Sequence, residues 1–399
     1  MEHHIANPLG RSDAGLLALL LGANLVALAS DVMMSPLYPL LAAHYGVALE
    51  TVVLLGTPRA LAQLGVLFLG PLSERIGRAY LLVGGLALTA LAAWAGALAP
   101  GLGAMALVQT ALGLALAVAA AGIPALVGDR YAYAVRGRAL AIIRLAMPLT
   151  LIAVVPGLAA LAVGAGVVAP FVALGTAATA ICVLAAWRLP RAVARGATPS
   201  AAAPAAGRHI TLRAGAVLVL ALCLSLVPST VFTFLPAWVG NTFANPAVTV
   251  SLAIAADGCG ALLGVLFSAV LVDRLTKRRA ATLGALVAGV FMLLLPATGH
   301  AFGLAALIIA GFSGCLEVAL VAFMALLSEM APAARGTVMS LWAVALAGGA
   351  ALAPVAGRLV WMRWGMAGLG AAGSTLLLAV ALALTLVVAA EPGGEPNPS

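Results

Sequence analysis

Charge is what this sequence has least of. Only 8% of its residues are Asp, Glu, Lys or Arg, against about 25% in a soluble domain. A water-facing globular surface cannot be built from so few, so most of this surface must face lipid. Lysine is almost missing, since nineteen of the twenty cations are Arg. Histidine is scarce and badly placed for chemistry: His3, His4, His44, His209 and His300 all fall outside the apolar runs. No metal motif, nucleophile triad or phosphate loop accompanies them, which argues against an enzyme and predicts no metal and no cofactor. The four cysteines, Cys182, Cys223, Cys259 and Cys315, sit in apolar stretches without ligand spacing. They read as small core residues, neither disulfides nor ligands.

What is present is apolar: 64% hydrophobic residues with 44 Gly and 22 Pro, two residues that membrane helices tolerate better than soluble ones. Runs punctuated by Gly, Pro and charge predict twelve spans. The first six are Ala14 to Leu41, Thr51 to Leu72, Ala79 to Ala99, Leu102 to Val127, Ala139 to Val163 and Val167 to Trp187. The second six are Ala214 to Val239, Val248 to Val272, Ala280 to Thr298, Phe302 to Leu327, Val338 to Val360 and Gly365 to Ala390. The opening run contains Asp31 and lacks a cleavage-site pattern, so it reads as a membrane helix and not as a signal peptide. Between the two sets, residues 188–213 are rich in Ala, Pro, Gly and Arg and read as a flexible linker. The expected organisation is an all-α membrane protein with a six-helix half over 1–187 and a second over 214–399.

The net charge of +8 is topological and does not signal a nucleic-acid partner. With the N-terminus in the cytoplasm, sixteen cations fall on inside connections, and only Arg358 and Arg363 fall outside. The opposite orientation would invert the positive-inside rule. Both termini are therefore expected to be cytoplasmic in a bacterial-type inner membrane, with Trp361 and Trp364 at an interfacial belt.

A shift of 199 residues brings Glu74-Arg75 onto Asp273-Arg274, Arg78 onto Lys277, and Arg136-Gly137 onto Arg335-Gly336. One offset shared by two separate loops indicates a duplicated six-helix unit, whose halves can rock about a central site.

On these residues the chain resembles the major facilitator superfamily. The run Gly70-Pro71-Leu72-Ser73-Glu74-Arg75-Ile76-Gly77-Arg78 is similar to that family's signature between helices two and three, with Glu for the usual Asp and Ala79 where a second basic residue is expected. Asp273 to Arg278 looks like its degenerate copy. The resemblance implies two pseudo-symmetric six-helix bundles and a cytoplasmic latch from Glu74, Arg75, Arg78, Asp273, Arg274 and Lys277, with Gly70, Gly77, Arg136 and Arg335 in the same loops. A purely topological role is the other reading of those cations. Members that export drugs, sugars or metabolites in exchange for protons are the suggested branch. Against that branch, their arginine in an Arg-x-x-x-Gly pattern of helix four is Gln109 here, followed by Gly113. Val155-Pro156-Gly157 is also a displaced match to their Gly-Pro motif.

Apart from Arg358 near the outer end of the eleventh span, five charged residues fall inside predicted spans: Asp31, Arg59, Arg144, Asp257 and Glu317. Each costs a few kcal/mol at the bilayer centre and should face a partner or a wet cavity. Asp31 lies about ten residues before the outer end of span one and Arg59 about eight after the start of span two. At about 1.5 Å per residue these depths agree within a turn. The pair is either a proton-coupling carboxylate with its tuning arginine or a permanent structural ion pair. Glu317 reads as a carboxylate for a proton or a cationic substrate, Asp257 as a polar helix contact among small residues, and Arg144 as a snorkelling cation. Tyr38, Phe234 and Trp238, near Pro36, Pro39 and Pro236, either line a pocket or simply pack.

The leading expectation is a monomeric, proton-coupled exporter of a small organic molecule. A symporter or uniporter importing a small metabolite is the alternative. A non-transporting sensor is the reading from another class, disfavoured because residues 391–399 are too short for an output domain. Reporter fusions at residue 399 and in the 188–213 segment are expected to be active only with a cytoplasm-requiring reporter; activity of a periplasm-requiring one at either place would reverse the topology.

Overall fold

The computed structural model describes residues 11–65, 76–131, 139–140, 142–193, 212–244, 246–330 and 335–388. All regular structure among them is helical. Ten helical segments among the described residues are long and apolar enough to cross a membrane. The last, Val344–Thr385, runs 42 residues, about 63 Å at 1.5 Å per residue and twice a bilayer core.

The first compact unit comprises Met1–Pro204 with Leu235–Gly258, and the second comprises Ala205–Phe234 with Cys259–Ser399. In chain order the helices of the amino-terminal part are α1 (Arg11–Val32), α2 (Met34–Tyr45), α3 (Leu49–Val53), α4 (Gly56–Gln63), α5 (Arg78–Ala97) and α6 (Leu102–Arg130). There follow α7 (Ala146–Leu149), a π turn (Thr150–Val154), α8 (Val155–Ala165) and α9 (Val168–Val193). The remainder is α10 (Leu212–Thr242), α11 (Pro246–Arg274), α12 (Lys277–Leu294), a 3-10 turn (Leu295–Thr298), α13 (Phe302–Met330) and α14 (Arg335–Val388).

Three spans expected to be continuous are broken, and proline is the reason. The turns at Met33, Leu55 and Leu145 each stand three residues ahead of a proline: Pro36, Pro58 and Pro148. A proline has no N–H for the carbonyl four residues back and its ring crowds that carbonyl, so the ladder loosens just upstream. The freed groups find other partners. Thr57 N–H reaches Leu54 O at 2.9 Å, and Asn24 Nδ2 of α1 donates to Ile143 O at 3.2 Å beside the third break. The π turn likewise stands just ahead of Pro156. α14 is two helices in one: Gly365 has φ 57 and ψ −147, a left-handed φ that glycine adopts without penalty. Beside it, Arg363 lies 5.8 Å from the ring centroid of the exposed Trp364, while Trp361 stacks on Phe234 at 5.4 Å.

Between helices the packing runs on small residues, as it must where lipid supplies no hydrophobic drive to associate. In the second unit Gly260 and Gly264 of α11 face Ala310 and Gly314 of α13. A Cβ on Gly260 would collide with the Ala310 carbonyl, and one on Gly264 with that of Gly314. In the first unit Gly258 lies against the π turn, where an added Cβ would come 3.1 Å from Ile152 Cγ1. Replacing Gly260 by Ala is expected to cost about 1–3 kcal/mol through overpacking and to lower the melting temperature of the purified protein. Gly103→Ala, where a Cβ meets nothing within 4 Å, should not; equal melting temperatures for the two variants would refute the tight crossing.

Candidate functional site

The polar centre of the first unit is Arg59. Pro58 breaks the second span just ahead of it, so Arg59 sits in the first turn of α4, and its side chain is only 7% exposed. Each nitrogen of its guanidinium has a partner. Nε donates to Asp31 Oδ1 at 2.7 Å, Nη1 to Gln109 Oε1 at 2.6 Å, and Nη2 to Ser30 Oγ at 3.4 Å. Gln63, one turn along α4, donates to the same Asp31 oxygen at 3.3 Å. Asp31 closes α1 two residues before the Met33 break, so both members of the ion pair adjoin a proline-loosened stretch of backbone. Discontinuous helices of this kind are where transporters place ion and substrate sites.

The two ends of the Gln109-x-x-x-Gly113 pattern act on one residue. Gln109, buried on α6, binds the guanidinium. Gly113, four residues on and so on the same face, lets the α4 backbone approach, because a Cβ there would collide with the Arg59 carbonyl. The charge expected on helix four is thus supplied from α4. Exposure within the pair is unequal: the Asp31 side chain is 33% exposed, against 7% for Arg59. The carboxylate is partly open while the arginine is sealed. Without Asp31, Arg59 would keep hydrogen bonds to Gln109 and Ser30 but would lose its counter-charge.

The remaining candidates are distributed. Tyr38 is buried on α2 and within electrostatic range of both Arg59 and Asp31. Trp238, also buried, meets Phe243 edge-on at 5.5 Å. Asp257 is buried on α11 next to Gly258 and the π turn. Phe234 belongs to the second unit, pressed between Gly357 and Trp361. In that unit Glu317 stands at the crossing of α11 and α13, where a Cβ on Gly264 would lie 2.9 Å from its own Cβ. Arg144 is exposed. Of the latch residues, Gly70, Glu74, Arg75 and Arg136 lie outside the described residues, as do the side chains of Asp273 and Arg335. Gly77 precedes α5 with φ 94, a conformation that accounts for glycine at that place in the motif. Arg78 opens α5, the exposed Arg274 closes α11 and Lys277 opens α12.

Ser30, Gln63 and the role of Gly113 were not read from the sequence. Gln63 could have been, since it stands four residues from Arg59 on the same helix face; Ser30 carries no such signal.

No curated protein matches the sequence. Among solved structures, a point mutant of the peptide transporter POT in complex with alafosfalin superposes with a TM-score of 0.76 at 15% identity, covering 93% of this chain and 94% of that one. At that identity the likeness is one of fold. The expectation of a drug, sugar or metabolite efflux antiporter is corrected by this match, since the structure found is of a peptide transporter. The residues give the physical reason: the helix-four arginine of the antiporter branch is absent, and Pro156 follows a π turn instead of completing a regular Gly-Pro motif. The profile of the Major Facilitator Superfamily matches twice in tandem, over residues 20–244 and 217–399. The chain, an all-α membrane-embedded transporter of small molecules, belongs to the Major Facilitator Superfamily.

Proposed function

We propose that the protein imports a small organic molecule as a proton-coupled symporter, with Asp31 as the group that carries the proton. The observation behind this is the unequal pair: a water-reachable carboxylate on a sealed arginine that keeps two other partners. Peptides head the substrate candidates because a peptide transporter shares the fold. Glu317, half-buried on α13, is the carboxylate proposed to meet a cationic part of the substrate. The loops bearing Glu74, Arg75, Arg78, Asp273, Arg274 and Lys277 are proposed to latch the cytoplasmic side, with the protein a monomer in the cell membrane and both termini inside.

Cells expressing the protein are expected to lose accumulated labelled dipeptide or metabolite when a protonophore collapses the gradient; a rise instead would overturn import. In reconstituted vesicles, Asp31→Asn should abolish pH-gradient-driven accumulation while leaving counterflow exchange within a few-fold of wild type. Accumulation by Asp31→Asn at the wild-type level would remove the coupling role. A double-mutant cycle on Asp31→Asn and Gln109→Leu, read by chemical unfolding, should be non-additive by about 1 kcal/mol or more, since both residues accept from the same guanidinium. Strict additivity would mean that the two residues do not share the guanidinium.

A further inference from the structure

A second polar feature lies away from Arg59, at the start of α12. There a cavity of about 590 Å³ is lined by Thr276, Arg278, Arg279, Thr282, Leu283 and Thr385. The first turn of α12 reads Lys277-Arg278-Arg279 and has no acidic residue, although the positive end of a helix dipole favours anions and repels cations. Thr276 is occupied in capping, its Oγ1 accepting from Arg279 N–H at 3.4 Å. Arg278 gives one N–H to Thr385 O at 3.0 Å, which holds the guanidinium at the cavity wall and leaves its other N–H groups for a ligand. Thr282 Oγ1, buried on the same wall, has no hydrogen-bond partner. Below it the half-exposed Leu283 presents an apolar edge.

Topology does not require this arrangement. At the 199-residue offset the first half has Ala79, Tyr80 and Val83 where the second has Arg278, Arg279 and Thr282. In the equivalent loop the first copy carries only Arg75 and Arg78 as cations. The polar lining is therefore an addition of the second copy, concentrated on one cavity wall.

We propose that this cavity binds the phosphate of an anionic phospholipid headgroup, with Arg278 and Arg279 as guanidinium donors, Thr282 as the hydroxyl donor and the acyl chains leaving along Leu283. Guanidinium forks match phosphate oxygens in geometry and charge, and basic pockets between helices at the cytoplasmic boundary suit anionic headgroups. The anion also cancels the clash between the cationic first turn and the helix dipole.

The test is a thermal-shift titration of the full-length protein in neutral detergent with dihexanoyl-phosphatidylglycerol, dihexanoyl-phosphatidylcholine or sodium phosphate. Only the phosphatidylglycerol should raise the melting temperature. Its apparent affinity should fall about ten-fold in Arg279→Gln and measurably in the near-isosteric Thr282→Val, which leaves the surface charge unchanged. Arg188→Gln, a cation at the end of α9, should behave as wild type. No shift, an equal shift with phosphatidylcholine, or an equal loss in Arg188→Gln would overturn the site. An equal shift with sodium phosphate would overturn the lipid as its occupant.

Discussion

A guanidinium inside an apolar helix bundle sets the terms for everything around it. Each N–H turned inward must find an acceptor or cost several kcal/mol. In this protein that demand is met from two neighbouring helices, by Asp31 and Ser30 on α1 and Gln109 on α6, while Gln63 of α4 donates to the same carboxylate. Such convergence needs α4 and α6 to approach more closely than side chains normally allow. Gly113 provides the space by leaving no Cβ against the Arg59 carbonyl.

The same demand gives the proline breaks a purpose beyond interrupting helices. Pro58 stands immediately before Arg59, and the Met33 break follows Asp31 by two residues. The ion pair therefore joins two segments whose regular helical ladder is interrupted. The third break, beside Ile143, is tied back to α1 through Asn24, so the three loosened places meet on one helix.

Much of this could be read in the sequence, for identifiable reasons. Hydropathy and the 199-residue offset both report on long, periodic stretches, and the family profile matches twice, over residues 20–244 and 217–399. The nearness of Asp31 and Arg59 followed from depth alone, since antiparallel neighbours put equal depths side by side; the structure has them 2.7 Å apart. Depth carries no azimuth, however. It could not indicate that Gln109 and Gly113 turn toward Arg59 while Phe234 is held by Trp361 and Gly357. The transport branch was misread for a different reason. The helix-four Gln109 and the displaced Val155-Pro156-Gly157 already stood against the antiporter branch, whereas the loop signature that carried the resemblance identifies the superfamily and not a direction of transport.

The duplication sharpens what the polar cluster is for. At the 199-residue offset Asp31, Arg59 and Gln109 correspond to Thr230, Gly258 and Ile308, and of the cluster only Ser30 recurs, as Ser229. There the equivalent helices cross on a glycine seam, Gly260 and Gly264 against Ala310 and Gly314, with no arginine to accommodate. If the cluster served only to hold a helix pair together, the second copy demonstrates a simpler way to do so. A proton can bias a conformational equilibrium only by binding one state more tightly than the other. That requires a carboxylate whose surroundings change between states, set on backbone that moves and reachable by water. Asp31 stands beside the Met33 break and is partly exposed, which suits it to the coupling role proposed above. In that proposal the change of surroundings would be the loss of its contact with Arg59, which Gln109 and Ser30 hold in place.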